Sequence, residues 1–181
     1  LAYDAPTVRI SGHGGGKWYN FFIHGMAAET DKYRHILIDG ARGPLAFYHL
    51  HAQHAQSFSQ CEIRNSRDVS VYGVKAEYQT RFLVARDSSG IRIFGHGGNA
   101  TAARSSAHYL FIDCKDFLLS NMDDQFSVWK KTPASLKYRK YPAEPFTQYH
   151  PLIVTDGGTT TAIPYTEHPI LWRSGEAGKN Q

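Results

Sequence analysis

Along most of the chain, apolar and polar residues alternate in short runs broken by Gly, Asn, Asp and Ser, while helical faces are nearly absent. Three runs superimpose: IRNSRDVSVYG (Ile63–Gly73), ARDSSGIRIFG (Ala85–Gly95) and, more loosely, FIDCKDFLLSN (Phe111–Asn121). A partial fourth precedes them, Leu37-Ile38-Asp39-Gly40, followed by Leu45 and Phe47. Each unit turns at an acid or amide, namely Asp39, Asn65, Asp87 and Asp113, at separations of 26, 22 and 26 residues. Asn and Asp suit such corners because they tolerate left-handed backbone angles and bond their own main chain. After each corner stand apolar residues two apart (Val69 and Val71, Ile91 and Ile93, Phe117 and Leu119), the inward face of a strand.

The pattern predicts an all-β chain folded as a right-handed parallel β-helix. Residues 1–122 are its rungs, and 123–181 form a side loop and C-terminal capping segment of the same domain, with a hairpin turn at Asp156-Gly157-Gly158 and a fraying GEAGKNQ tail. A leucine-rich repeat would need a leucine consensus that is absent. A β-sandwich would not place turns of one chemistry at near-constant spacing.

Composition changes this picture little. With 181 residues the chain is long enough for one core, and 41% apolar with 20% charged residues is globular rather than disordered. The net charge of +4 owes much to Lys130, Lys131, Lys137, Arg139 and Lys140, read as a solvated basic loop. That run is all that favours nucleic acid, so no nucleic-acid partner is expected. No apolar run approaches the roughly eighteen residues of a membrane helix, and no membrane partner is expected. Cys61 and Cys114 lie far apart, lack metal spacing and read as reduced core residues. The N-terminus, LAYDAPTVRI, starts without Met in what reads like a strand, as a mature form or a piece of a longer chain would.

Candidate chemistry concentrates in FYHLHAQHAQSFSQ (residues 47–60), three histidines and three glutamines without a carboxylate. Strict alternation would put Phe47, His49 and His51 on one strand face and Tyr48 and Leu50 on the other, with His54 beyond a bend. Two imidazoles two apart can address one metal, but the third ligand would have to be His54, so no metal and no cofactor is expected. The remaining readings are a ladder of imidazoles and amides bonded to neighbouring rungs, or a surface of donors and acceptors for sugar hydroxyls.

The run FYHLHAQHAQSFSQCEIRNSRDVSVYGVKAEYQ resembles the second β-helix of family fifty-five glycoside hydrolases, enzymes that attack β-1,3-glucan from its end. The resemblance covers roughly residues 36–100 and rests on Phe47-Tyr48, His54, Asn65 through Gly73 and Glu77-Tyr78. It implies an extracellular or periplasmic protein with a polysaccharide substrate, completed by another chain or by an N-terminal part of a longer precursor. One departure matters: Gln53 stands where the family has its general-acid glutamate, and an amide cannot protonate a leaving glycosidic oxygen. Either another carboxylate serves, or the alignment is displaced, or the chain is a non-catalytic relative.

Of the carboxylates, Asp87 and Asp113 read as corner residues and Asp68 as a solvated turn residue beside Arg67. Glu62 precedes inward Ile63 and so points away from the core, and Glu77 follows outward Tyr72 and Lys75; these two are the acid candidates. Tyr48, His49, His51, Gln53 and His54 would hold sugar or orient water, and Arg64, Arg86 and Arg92 could hold an acidic sugar or pair with Glu62 or Asp68. The glycine runs GHGGGKW (12–18) and GHGGN (95–99) lack the sequel of a phosphate loop and read as tight turns, with His13 and His96 reaching one cleft. No nucleophile elbow is present. The expectation is a glycoside hydrolase with a groove over residues 47–81, against a polysaccharide lyase and a non-catalytic sugar-binding segment.

Overall fold

The computed structural model describes residues 3–25, 30–78, 80–100, 107–124, 127–131, 138–142, 150–164 and 171–173. Among them there is no helix. Sheet A stacks β1 (Val8–Gly12), β3 (Ile36–Ala41), β5 (Ser59–Arg64), β7 (Arg81–Arg86), β9 (Ala107–Ile112) and β13 (His150–Asp156) in parallel, and β14 (Thr159–Ala162) follows antiparallel. Sheet B stacks β2 (Gly16–His24), β4 (Leu45–Gln53), β6 (Arg67–Tyr78), β8 (Ser89–Ala100) and β10 (Lys115–Asp124) in parallel, with β15 (Leu171–Arg173) antiparallel on β10. The chain passes from A to B and back, so the fold is a parallel β-solenoid of about 4 turns.

Corner chemistry makes the rungs repeat. Asn65, Asp87 and Asp113 have φ of 49°, 48° and 49°, and three residues on Asp68, Gly90 and Asp116 have φ of 58°, 65° and 51°. Each corner is thus a four-residue arc with left-handed residues at both ends, which Asn, Asp and Gly adopt at least cost. In the earliest of the four units the left-handed residue is Gly40, φ 70°, rather than Asp39. Asp39 is the register partner of Arg64, one position before the corner, because Gly40 takes the turn without a Cβ penalty and leaves the carboxylate outward. Between the ends of each arc lies a buried polar ladder. Ser66 Oγ donates to the Arg64 carbonyl, Ser88 Oγ donates to the Arg86 carbonyl, Ser88 Oγ accepts from the Ser66 amide, and Ser66 Oγ accepts from Ala41. Cys114 takes the same place one turn on, its thiol directed at the Ile112 carbonyl and pushed by burial up to about 11. Burial likewise pushes the Cys61 thiol up to about 12, so both buried cysteines are inert core thiols.

The core lies between the sheets. Val69 and Val71, Ile91 and Ile93, and Phe117 and Leu119 point inward as the periodicity predicts, against Ile63, Leu83, Tyr109 and Phe111. Phe111 stacks on Phe117 at 4.4 Å. Burying each such side chain contributes about 1.5–3 kcal/mol.

The hairpin forms where predicted: Gly157 and Gly158 have φ of 53° and 85°, as a two-residue primed turn requires, and the Gly157 amide donates to Asp113 Oδ1 at 3.0 Å. Where a basic loop was expected, β11 (Ser127–Lys131) and β12 (Tyr138–Pro142) form an antiparallel ribbon carrying Lys130, Lys131, Arg139 and Lys140. Lys137 lies outside the described residues, as does the GEAGKNQ tail.

Candidate functional site

A second row of left-handed residues runs inside the strands of sheet B: Asn20, His49, Gly73, Gly95 and Asn121, φ 50° to 78°. These positions stack in register, since Tyr19, Tyr48, Tyr72, Phe94 and Ser120 immediately before them are successive partners. The bend shifts alternation by one residue. Phe47 and Leu50 are therefore both core, whereas Tyr48, His49 and His51 all face out, which corrects the grouping of Phe47 with the two histidines. The same bend explains GHGGN, which lies within β8 rather than in a turn between rungs. Gly95 takes the bend, and a Cβ on Gly98 would stand 1.9 Å from the Ala76 carbonyl oxygen. His96 points inward, buried, with Nδ1 2.7 Å from the Tyr109 hydroxyl, while His13 is exposed in the β1–β2 turn, so the two share no cleft.

The bend divides the outer face of sheet B into two panels. On the first, Tyr19, Tyr48, Tyr72 and Phe94 form a continuous stack with centroids 5.0 Å apart and planes within 11° of parallel. The spacing is that of the strands, and each ring covers its neighbour's face, leaving ring edges and phenol hydroxyls toward solvent. Tyr19 is 65% exposed and Tyr72 38%. Beside the stack lies a depression of about 380 Å³ floored by Ala46 and Ser70 and walled by Lys17, Asp68, Tyr72 and Arg92. Arg92 Nη2 is 2.8 Å from Asp116 Oδ2, not paired with Asp68; with Arg92 answered by Asp116, which does not line the depression, Lys17 and Asp68 balance there.

The second panel carries Phe22, His24, His51, Gln53, Lys75 and Glu77, joined by His54 at the strand's end. His54 Nε2 donates to Glu77 Oε2 at 3.1 Å, Lys75 Nζ donates to Glu77 Oε1, and His24 lies over His54 with centroids 4.2 Å apart. Lys75 first, then His54, hold the Glu77 carboxyl below the usual carboxylate range. It is therefore an ionised group, suited to a base or nucleophile and unsuited to protonating a leaving group near neutral pH. Gln53 is buried, its carbonyl accepting from His35 Nε2 at 2.8 Å. His35 Nδ1 must then accept from the Tyr33 hydroxyl, 2.8 Å away, because burial, aided by His24 and His54, drives its pKa down to about 4 and keeps the ring neutral. No group of three metal-ligating side chains occurs among the described residues.

The predicted site thus separates. Tyr48, His49, His51, Gln53, His54 and Glu77 share the outer face of sheet B. Glu62, Arg64 and Arg86 belong to the outer face of sheet A. Glu62 is buried, accepting from Arg34 Nε at 2.8 Å and ion-paired without a hydrogen bond to Arg86 Nε at 3.4 Å, while Arg64 bonds Asp39 at 3.0 Å. Glu62 and Glu77 stand on different sheets and share no hydrogen-bond partner. Sequence reasoning missed the stack itself. Its signal is visible once rungs are aligned: KWY, AFY, SVY and RIF place an aromatic directly after an inward apolar residue in four successive strands.

Comparison of the chain with protein-family models, curated proteins and solved structures gives no match. The resemblance to family fifty-five glycoside hydrolases is met at the level of the fold, a parallel β-solenoid.

Proposed function

We propose that the chain binds an extended, neutral polysaccharide such as β-1,3-glucan along the outer face of sheet B. The observation that carries this reading is the exposed stack Tyr19–Tyr48–Tyr72–Phe94 beside a charge-balanced depression. Ring edges and hydroxyls repeat along it at the strand interval. An extended polymer of hydroxylated, largely apolar rings can meet such a surface at several successive points, whereas a compact ligand meets it once. Binding rather than cleavage is the better supported function. Gln53 cannot act as the acid, Glu77 is held ionised, and Glu62 is sequestered by two arginines.

Hydrolysis is the second reading, favoured by one observation: Glu77 is an ionised carboxylate fixed by Lys75 and His54 at the end of the same face. In that reading Glu77 activates water or attacks the sugar, and the missing proton donor is the feature to restore. A lyase acting on a uronate polymer would instead leave an unsaturated product that absorbs ultraviolet light.

The test is sedimentation of the chain with insoluble β-1,3-glucan, alongside a reducing-end assay. Wild type should co-sediment, and a Tyr48→Phe/Tyr72→Phe double variant, which keeps the stack and removes two hydroxyls, should bind about tenfold more weakly. Equal retention of both variants would sink the proposed face. New reducing ends from wild type that vanish in Glu77→Gln would replace binding by hydrolysis. Activity only in Gln53→Glu would identify a site that has lost its acid.

A further inference from the structure

Among the described charges away from the sheet B face that are not exposed, Arg34, Asp39, Glu62, Arg64 and Arg86 are ion-paired and Arg81 is not. It begins β7 and lies over the Phe58 ring, its guanidinium carbon 4.5 Å from the centroid; Arg34 approaches the same ring at 5.4 Å. Arg34 is compensated by Glu62 at 2.8 Å and by the Asp31 carbonyl at 2.7 Å, and Glu62 also serves Arg86. One carboxylate therefore answers two guanidiniums, and the third, Arg81, has none among the described residues. Its Nη1 reaches the Phe58 carbonyl at 3.4 Å, and its buried Nε has no hydrogen-bond partner among the described residues. Burial first and Arg34 second lower its pKa, yet an arginine stays charged throughout the physiological range. A half-buried cation beside a second cation is unfavourable, and an anion would relieve the repulsion.

We infer that Arg81, seated on Phe58 beside Arg34, is the principal ligand of a site for an oxyanion: a carboxylate, sulfate or phosphate group. Nε has no accessible surface, so such a group is met end-on, by the Nη pair of a guanidinium held over the ring. Arg64 and Arg86, the arginines that sequence suggested for this role, are engaged by Asp39 and Glu62. The Arg81 site adjoins the second panel of sheet B. Thr80 Oγ1 donates to the Ser57 carbonyl, and Gln60 Nε2 donates to the Glu77 carbonyl, tying the loop before β5 and the start of β7 to the strand end that carries Glu77. An acidic substituent on a saccharide held at that end would meet Arg81, but the site stands on its own geometry whether or not a polymer binds.

The experiment is a thermal-unfolding titration with sodium sulfate against sodium chloride at matched ionic strength, on wild type, Arg81→Gln and the exposed-corner control Arg67→Gln. Sulfate stabilises folded proteins generally, so the informative part is what Arg81→Gln loses and Arg67→Gln retains. The expected result is a saturable sulfate response in wild type and the control, weakened at least about tenfold in Arg81→Gln. Identical responses in all three chains would overturn the site. Should Arg81→Gln fail to fold, nitrogen-15-labelled wild type titrated with sulfate decides. Saturable displacement of an arginine Nε–H resonance supports the site, and no displacement overturns it. Competition by a galacturonate oligomer would place the anion on a saccharide; sulfate binding without competition would make it a free-ion site.

Discussion

The outer faces of the two sheets rest on the same corners and the same strand spacing, yet they use opposite means of filling a column. Sheet B repeats one residue type: Tyr19, Tyr48, Tyr72 and Phe94 stack at 5.0 Å. Sheet A cannot repeat a charge in this way. Its column of Asp39, Arg64 and Arg86 brings two guanidiniums into adjacent rungs. Arg64 turns back toward Asp39, and Arg86 turns sideways to Glu62 in the neighbouring column. In a parallel solenoid every residue meets its equivalent at about 4.8 Å. Apolar rings gain from that register and like charges lose, so a charged column must borrow counter-ions from beside it. Sheet B can therefore leave a regular surface open to a ligand, while sheet A spends its polar groups on one another.

Breaking the borrowed counter-ion should have the largest effect. Glu62→Gln leaves Arg34 and Arg86 without a carboxylate in a site where the Arg34 and Glu62 side chains are 9% and 8% exposed. Removing one partner of a buried pair costs about 3–5 kcal/mol. Urea denaturation should show a loss of that size with an unchanged m-value. A loss below about 1 kcal/mol would mean that the guanidiniums rehydrate freely and that the face is not sealed.

Next in size is the titration of His35, which backs the second panel through the Gln53 carbonyl. Its folded pKa of about 4 lies below the unfolded 6.5, so the unfolded chain takes up the proton first. Stability is unaffected above about pH 6.5, falls as pH drops from there toward 4, and by full protonation has lost roughly 3 kcal/mol. The carboxyls of Glu77 and Asp39, both held low, add acid sensitivity only as the pH falls through the ordinary carboxylate range and below. Wild type should therefore lose stability already between pH 6 and 4.5, and His35→Gln should not over that interval, as measured by denaturation at fixed ionic strength. Equal slopes would remove His35 as the cause.

For sheet B the sharper comparison is within one position. Tyr72 has a ring on each side, so Tyr72→Ala loses two stacks worth about 0.5–1.5 kcal/mol each, or about 1–3 kcal/mol in all. Tyr72→Phe retains both and should be neutral within about 0.5 kcal/mol, because the hydroxyl faces solvent. If the alanine variant is also neutral, the stack contributes nothing to folding and its regularity is left to ligand binding alone.

How much of this was legible follows from which interactions have a period. The fold was: inward pairs such as Ile91 and Ile93, and the corner residues Asn65, Asp87 and Asp113, recur by position, and each fills the place expected of it. The left-handed residue inside β4 was hidden because His49 resembles any strand residue, and one such residue reverses every later side chain. Hence Leu50 was placed on the face of Tyr48, opposite Phe47, and is core with Phe47. The sheet B face was half legible, since His51, Gln53, His54 and Glu77 are close in sequence, while the aromatic stack needs rungs aligned to one residue. Pairings between columns, such as Arg34 with Glu62, leave no periodic trace at all.

The smallest effect tests whether burial, rather than ion pairing as such, separates the two ends of sheet A. Arg9 Nη2 and Asp39 Oδ2 are 2.8 Å apart, the same separation as Arg34 Nε and Glu62 Oε2, but the Arg9 side chain is 60% exposed. Removing Arg9 leaves Asp39 its bond to Arg64, and water replaces the rest. Arg9→Ala should therefore change stability by no more than about 0.5 kcal/mol, and less still in high salt. A loss approaching that of Glu62→Gln would show that Asp39 depends on both arginines and that the column behaves as one network. The expected near-zero result would assign the cost at Glu62 to desolvation, since the two pairs match in distance and differ in water.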